Sequence, residues 1–361
     1  MRIKAYSRRK ESVNYNQQQA LLTKQRGRIE ALRECPAQFE RDALRRVDRG
    51  MKAFFRRVKL GDKPGFPRFR PWFRYKSMEF LAPGKYIAGN FLKIPKLGLV
   101  RFRGGKQKVP ETQKLLRIIH RASGWYAQVL VNEANVVGNL EDHGDIGIDV
   151  GLKTFATMSD GSVIKNPRFY KKSERKLKCL QRSVSSKAKG SRNRRKAVKR
   201  LAKQYEKVSL QRRNFCHQAS TELVRKHPLI AVEKLNIKKM LGSKRFSKSI
   251  SDAGWGIFLN QLTVKAENAG RVVIQVDPAG TSQECPNCGA VKKKKLSERI
   301  HRCQCGCTLD RDAAASRIIL ARGLRALGSN RLLTDLASDS QLVVVDKVGR
   351  LTQEHERLTA R

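Results

Sequence analysis

Acidic residues are scarce in this sequence. Asp and Glu number 31 against 78 Lys and Arg, which leaves a formal charge of +47. A compact fold that carries this excess repels itself, and a polyanionic partner is the simplest way to neutralise it. Because the basic residues are spread over most of the chain, the sequence predicts a long charged channel rather than one docking patch. A protein that only coats RNA is the alternative that composition leaves open.

Long apolar runs are also missing. No stretch is long and apolar enough to cross a bilayer, so we expect no membrane partner. The segment from Met1 to Arg9 is basic and polar with no apolar run behind it, which predicts no secretory signal.

The eight cysteines are placed unevenly. Cys35, Cys179 and Cys216 are isolated and are expected to be ordinary small apolar residues. The other five crowd together, which in a chain without a secretory signal favours metal binding over disulfides. Four thiolates can close a tetrahedral zinc site. The first pair is Cys285 and Cys288, and the second is open: Cys303 with Cys305, Cys305 with Cys307, or Cys303 with Cys307.

Local patterns divide the chain into a helical start, a β-rich middle and an α/β remainder. Apolar spacing after Pro36 predicts a helix, and the segment from Ser77 to Asn132 predicts short strands with a hairpin at Ser123-Gly124. The remainder has predicted strands at 146–150, 155–159, 163–164, 229–232 and 272–276. Its predicted helices are a long basic region over 165–213, broken near 185–193, and one helix over 252–270.

Basic and aromatic residues mark candidate nucleic-acid contacts. Arginines alternate with rings in GDKPGFPRFRPWFRY, where guanidinium groups can hold phosphates and rings can stack on bases or pack into a small core. Residues 165–213 hold 20 Lys and Arg against two Glu. This excess suits contact with the phosphate backbone of a nucleic acid irrespective of its base sequence. The candidates are Arg45, Arg49, Arg68, Arg70, Trp72, Arg74, Lys196 and Arg200.

Three acids are candidates for a catalytic metal site. Asp149 ends one apolar strand, Glu233 follows another, and Asp312 lies where a helix is predicted to begin. Gathered carboxylates repel one another unless a cation joins them, and hard oxygen ligands favour Mg²⁺ or Mn²⁺. Two such ions can promote hydrolysis of a phosphodiester. Spacing alone leaves Asp310 open, either as the helix cap or as the ligand in place of Asp312.

Together these residues resemble the TnpB proteins of insertion sequences, relatives of the type V CRISPR effector nucleases. The resemblance runs from about Ala31 to Leu320. It rests on six stretches in this order: FFRRVKLGDKPGFPRFR, GIDVGLKTFATMSDG, IAVEKLNIKKM, SISDAGWGIFLNQLTVKAENAG, TSQECPNCG and LSERIHRCQCGCTLDRD.

The resemblance implies a multidomain α+β protein whose RNase H-like (RuvC) α/β core contains a zinc ribbon. A helical recognition lobe (1–76) and a small β-barrel wedge (77–140) would precede a nuclease domain in two parts (141–276 and 310–330). The ribbon would span 277–309. Apart from the resemblance, the sequence after about Gly323 has no clear period, and 331–361 is expected to form a tail. The resemblance makes Asp149, Glu233 and Asp312 the catalytic carboxylates and prefers Asp312 over Asp310. It makes Cys285, Cys288, Cys303 and Cys305 the zinc ligands and leaves Cys307 as an extra thiol.

The function implied is RNA-guided cutting of DNA. The partners would be a transposon-derived guide RNA and double-stranded target DNA, in the prokaryotic cytoplasm at the nucleoid, with the oligomeric state left open. The cofactors would be two Mg²⁺ or Mn²⁺ ions and one structural Zn²⁺. Two departures from the family are expected to matter: Ala314 stands where an Asn is usual, and the chain is expected to begin late. Both favour the alternative of a weak or inactive, repressor-like DNA-binding protein.

Overall fold

A computed structural model describes residues 2–81, 86–94, 96–103, 113–131, 139–242, 246–294 and 298–335. The chain forms two compact units. Unit 1 comprises residues 1–136 and 173–210, and unit 2 comprises 137–172 and 211–361. Residues 173–210, predicted as part of the nuclease domain, therefore group with the amino-terminal unit. The functional domain boundaries themselves stay a prediction.

Unit 1 begins with four helices: α1 (Arg2–Arg9), α2 (Tyr15–Arg28), α3 (Glu30–Glu34) and α4 (Ala37–Lys59). The side chain of Asn14 accepts a hydrogen bond from the backbone N–H of Gln17 and caps α2. Pro36 precedes α4, as the sequence predicts, because a residue before the first turn needs no intrahelical N–H. The predicted apolar stripe of α4 is incompletely buried, since Val47 and Phe55 are exposed.

Two three-stranded antiparallel sheets follow in unit 1. Their strands are β1 (Ser77–Phe80), β2 (Ile87–Ala88), β3 (Phe91–Ile94), β4 (Gly98–Arg101), β5 (Gln113–His120) and β6 (Trp125–Val131). The orders are β1-β5-β6 and β2-β3-β4. The hairpin predicted at Ser123-Gly124 is present, with His120 paired to Trp125. Phe80, Leu92 and Leu116 lie in the shared core. Closure into a barrel stays a prediction.

The centre of unit 2 is a five-stranded mixed sheet. Its strands are β7 (Ile146–Val150), β8 (Thr154–Met158), β9 (Val163–Lys165), β10 (Leu229–Glu233) and β11 (Val272–Val276). The order is β11-β10-β7-β8-β9; β7, β8 and β9 pair antiparallel, whereas β10 runs parallel to both β7 and β11. The predicted strands agree with these to within a residue. β7 and β10 are short, mostly buried apolar runs, as expected of strands that are covered on both faces.

The remaining long helices are α5 (Phe169–Ser185), α6 (Arg192–Lys226), α9 (Trp255–Asn268) and α10 (Arg311–Asp335); α7 (Ile237–Leu241) and α8 (Ser247–Ala253) are short. The break predicted within the basic region is present between α5 and α6. The prediction of one helix over 252–270 is wrong at its start. Gly254 adopts φ +75°, which ends α8 and makes α9 begin at Trp255.

Helix α10 lies against the sheet because two glycines leave room for it. A Cβ on Gly147 of β7 would come within 2.1 Å of the carbonyl oxygen of Ser316, and one on Gly323 within 2.7 Å of the Ala231 Cβ. Only glycine fits so close a helix–strand approach. This approach determines where the first turn of α10 lies.

Between β11 and α10, residues 277–310 include the hairpin β12 (Ile300–Arg302) and β13 (Thr308–Asp310). The five clustered cysteines lie in this segment, and β13 leads directly into α10. Helix α10 continues through the start of the predicted tail to Asp335, whereas 336–361 fall outside the described residues. None of the helices in the described ranges is long and apolar enough to span a bilayer.

Candidate metal centres

Asp149 and Glu233 stand side by side at the carboxyl ends of neighbouring strands. Val232 of β10 pairs with Ile148 of β7 in parallel register, and each acid is the next residue along its strand. Neighbouring strands lie about 4.8 Å apart. The two carboxyl groups therefore share one edge of the sheet, as the strand predictions indicated.

The first turn of α10 brings a third acid to the same edge. The side chain of Asp310 accepts a hydrogen bond of 2.9 Å from the backbone N–H of Asp312, so it caps the helix. The Asp312 carboxylate lies 3.5 Å from the guanidinium of Arg311. Of the two alternatives left open by spacing, Asp310 has the capping geometry. The choice of Asp312 as the ligand stays a prediction.

The electrostatics show that these acids interact. Burial, followed by repulsion from Glu233 and Asp312, raises the pKa of Asp149 to about 8, against a partial offset from Arg311. Burial also raises the pKa of Glu233, opposed by a hydrogen bond from Thr281 and by the charge of Arg322. Burial and acidic neighbours keep such a carboxyl group partly protonated near neutral pH. A cation that binds beside it offsets the negative charges, and the group then ionises fully. The donor set and its electrostatics therefore fit a hard divalent cation.

The carboxylates are more widely spaced than the cysteine sulfurs. In the described part of the chain, the sets of three or more Cys, His or acidic groups whose ligand atoms lie within 4.8 Å of one another come from the cysteine segment. A site that binds two cations about 4 Å apart does not require the ligand oxygens of its carboxylates to lie within 4.8 Å of one another.

Four cysteine sulfurs form the tighter cluster. Cys285, Cys288, Cys303 and Cys305 bring their Sγ atoms within 4.8 Å of one another. The Cys285–Cys305 sulfurs are 3.7 Å apart and the Cys288–Cys303 sulfurs 3.5 Å. Tetrahedral Zn²⁺ with Zn–S bonds of about 2.3 Å separates its sulfurs by about 3.8 Å, whereas a disulfide needs about 2.05 Å. The cluster therefore suggests a zinc site.

Two further donors lie beside the cluster. Cys307 and His301 are buried and, with Cys285, form a second set within 4.8 Å. The Nε2 atom of His301 is buried and has no hydrogen-bond partner among the residues that the structure describes, and its Nδ1 atom contacts the Lys294 ammonium. An ammonium at Nδ1 favours the tautomer with a proton on Nε2, which is then a donor facing the sulfurs rather than a ligand. His301 was not a sequence candidate, and only the folded hairpin reveals it.

The predicted nucleic-acid contacts all lie in unit 1. Arg45 is half-buried on α4, and the Arg49 guanidinium is 3.3 Å from a carboxylate oxygen of Glu79. Arg68 and Arg70 are exposed, and Arg74 lies over the ring of Phe73. Trp72 begins a short 3₁₀ helix. Lys196 and Arg200 are exposed on α6.

The aromatic rings of residues 61–75 differ in their packing and in their exposure to solvent. Phe66 meets Phe54 of α4 with ring centroids 5.2 Å apart. Phe69 is 92% exposed. The expectation of packing is therefore confirmed for Phe66, whereas stacking of an exposed ring such as Phe69 on a base stays a prediction.

Sequence reasoning missed Thr281 and Arg322. The hydroxyl of Thr281 donates to Oε1 of Glu233 at 2.6 Å, and Arg322 holds the loop that carries Thr281. Nothing in the spacing of these residues points to such a role, because the contact joins positions 48 residues apart.

The fold and these groups define a multidomain α+β protein with a cysteine cluster that suggests a zinc site and with a set of interacting acids. Two family models match the chain. Residues 130–244 match OrfB_IS605, described as a probable transposase, and 255–319 match the Cas12f1-like TNB domain.

Curated relatives agree with these matches. A Streptomyces pristinaespiralis protein named "Putative RNA-guided DNA endonuclease" is 35% identical over 57% of this chain and 52% of its own length. "Putative RNA-guided DNA endonuclease InsQ" of Escherichia coli K12 is 28% identical over 84% of this chain and 78% of its own length. The match thus spans about half of the first relative and over three quarters of the second.

A solved Cas12f1-sgRNA-target DNA complex matches 78% of this chain and 70% of its own chain, at 14% identity and a TM-score of 0.47. The family matches and relatives confirm the resemblance. That resemblance is to the TnpB family.

Proposed function

We propose that this chain is an RNA-guided DNA endonuclease that hydrolyses phosphodiester bonds at a RuvC-like carboxylate site. The observation that carries the proposal is the meeting of Asp149 and Glu233 on adjacent parallel strands with Asp312 near enough to help raise the pKa of Asp149. The sheet order, with three antiparallel strands followed by two parallel ones, supports an RNase H-like core. The names of the curated relatives support guidance by RNA.

In this proposal Asp149, Glu233 and Asp312 hold Mg²⁺ or Mn²⁺. Two such cations, when bound, activate the attacking water and stabilise the leaving oxygen. Cys285, Cys288, Cys303 and Cys305 hold one structural Zn²⁺, with no position left open for catalysis. Because β13 leads into α10, a stable ribbon also holds the helix turn that bears Asp312.

The proposed partners are a transposon-derived guide RNA and the double-stranded DNA that it matches. Base pairing with the guide selects the target, and the protein contributes backbone contacts and recognition of a short flanking motif. Arg68, Arg70, Arg74, Lys196 and Arg200 are proposed backbone contacts, since exposed guanidinium and ammonium groups neutralise phosphates irrespective of sequence. Arg45, Arg49 and Trp72 are proposed with them.

The test uses purified protein with its co-purifying RNA, Mg²⁺ and a DNA target that matches that RNA. We expect the wild type to cut and Asp149→Ala to retain the RNA but leave the target intact. Asp160→Ala, which removes an exposed acid of unit 2, is the matched control and should cut normally. Uncut DNA with the wild type, or equal cutting by Asp149→Ala, would sink the enzymatic proposal.

A second candidate function is guided binding with weak or no cutting. The observation in its favour is Ala314, which is buried in the first turns of α10 where the family usually carries Asn. An alanine there cannot supply a side-chain hydrogen bond near Asp312. A gel shift of matched DNA without cleavage products would favour this candidate, and products together with the shift would favour the nuclease.

A further inference from the structure

Glu233 receives a hydrogen bond from a buried hydroxyl outside the carboxylate set. The Oγ1 atom of Thr281 lies 2.6 Å from Oε1 of Glu233, and Thr281 is 4% exposed. The same hydroxyl is 3.2 Å from the carbonyl oxygen of Pro278. A hydroxyl has one proton, and the shorter, charge-assisted bond to a carboxylate is the stronger one. Thr281 therefore donates to Glu233 when that acid is ionised.

The other oxygen of Glu233 is left for a ligand. In the described part of the chain, Oε2 of Glu233 takes no hydrogen bond, whereas Oε1 takes the bond from Thr281. A donor on one carboxylate oxygen restricts rotation of the carboxyl group and determines which oxygen faces the site. Donors of this kind orient metal-binding side chains in proteins.

The loop that carries Thr281 is tied to the helix that carries Asp312. Arg322 of α10 donates to the carbonyl oxygens of Asp277 and Ala279 at 3.0 and 2.7 Å, and to the Glu284 carboxylate at 2.8 Å. These bonds hold both ends of the loop between β11 and the cysteine segment. Hydrogen bonds therefore connect α10, which carries Asp312, through this loop to Glu233.

We infer that Thr281 is a positioning residue for Glu233, which it holds with Oε2 turned towards a divalent cation, and that Arg322 keeps Thr281 in place. The inference rests on the proposed function for the role of the cation. Thr281 acts through Glu233 and is not proposed to contact the nucleic acid or the reacting phosphate.

The test compares Thr281→Val, which removes the hydroxyl at nearly constant volume, with Thr281→Ser, which keeps it. Mn²⁺ binding to the full-length protein is measured by electron paramagnetic resonance, and cutting of matched DNA is titrated with Mn²⁺. Thr263→Val is the matched control, because among the described residues the Thr263 hydroxyl bonds only to the Leu259 carbonyl within α9. Glu233→Ala marks complete loss of the ligand.

We expect Thr281→Val to raise the half-saturating Mn²⁺ concentration about tenfold, with Thr281→Ser and Thr263→Val within about twofold of the wild type. The melting temperature of Thr281→Val should stay close to that of Thr263→Val. Saturating Mn²⁺ should restore cutting to Thr281→Val but not to Glu233→Ala, a rescue that a purely structural role would not produce.

An unchanged half-saturating concentration in Thr281→Val overturns the inference, as does a wild type that binds no Mn²⁺. If Thr281→Val weakens Mn²⁺ binding while the wild type cuts no matched DNA, the positioning role stands and the nuclease proposal fails. If the wild type cuts and Thr281→Val matches it at every Mn²⁺ concentration, the nuclease proposal stands and the positioning role fails.

Discussion

At the scale of single residues, Asp149 shows how the fold holds acidic side chains near one another despite their electrostatic repulsion. The group is half-buried beside two further acids, and burial followed by their charge raises its pKa from 3.8 to about 8. A folded pKa above the unfolded value means that protonation stabilises the fold. This contribution is complete below pH 3.8 and is lost as the pH rises through about 8.

We therefore predict that Asp149→Asn stabilises the metal-free protein at alkaline pH. An amide cannot ionise, so it removes the repulsion that the wild type develops as the pH approaches and passes 8. Thermal melts in EDTA at pH 8.5 should give the variant the higher melting temperature, by about 2–4 °C for each kcal/mol. The difference should shrink at pH 5 and on addition of Mg²⁺, which neutralises the wild-type carboxylate.

Asp62→Asn is the control for this measurement, since Asp62 is exposed in unit 1. Its melting temperature should follow that of the wild type at both pH values. An Asp149→Asn protein that melts below the wild type at pH 8.5 in EDTA would contradict the electrostatic account of the site.

At the scale of elements, the distances between cysteine sulfurs narrow the choice of zinc ligands in the cysteine segment. Spacing left three pairs open among Cys303, Cys305 and Cys307. The folded hairpin places the sulfurs of Cys303 and Cys305 with those of Cys285 and Cys288, whereas Cys307 lies with Cys285 and His301. Chain spacing cannot decide this, because the turn between β12 and β13 determines which sulfur points to which partner.

We predict that Cys305→Ser loses zinc and Cys307→Ser keeps it. A serine hydroxyl is a poor zinc ligand, and loss of one of four ligands also removes part of the folding free energy that the metal supplies. Zinc content per chain by mass spectrometry, together with the melting temperature, checks this. Cys179→Ser, at an exposed position of α5, serves as control. Zinc lost from Cys307→Ser but kept by Cys305→Ser would exchange the two assignments.

At the scale of the whole molecule, the charge of +47 is the dominant property. The exposed residues that contribute to this charge include Arg68 and Arg70, beside the 92% exposed ring of Phe69, and Lys196 and Arg200 on α6. Contacts of this kind release counterions from a nucleic acid, so binding weakens steeply with salt.

We predict that the double change Arg68→Gln and Arg70→Gln weakens RNA binding at every salt concentration. It should also reduce the slope of log affinity against log salt by about 2, or about 1 per lost phosphate contact. Filter binding across a salt series measures both quantities. The double change Lys52→Gln and Lys59→Gln removes the same charge from exposed positions of α4 that are not candidate contacts. An equal loss of slope in both proteins would show only the effect of net charge.

The sequence by itself determined the strands of unit 2, the break within the basic helical region and the acids at the strand ends, because these depend on local apolar runs and on charge. It also indicated the resemblance to the TnpB family, through six motifs that occur in the same order. Only the tertiary structure decided the boundary at Gly254, the capping role of Asp310 and the sulfur set. It alone revealed the hydroxyl of Thr281 on Glu233 and the approach of α10 to Gly147. These features depend on contacts between residues far apart in the chain, and periodicity carries no information about such contacts.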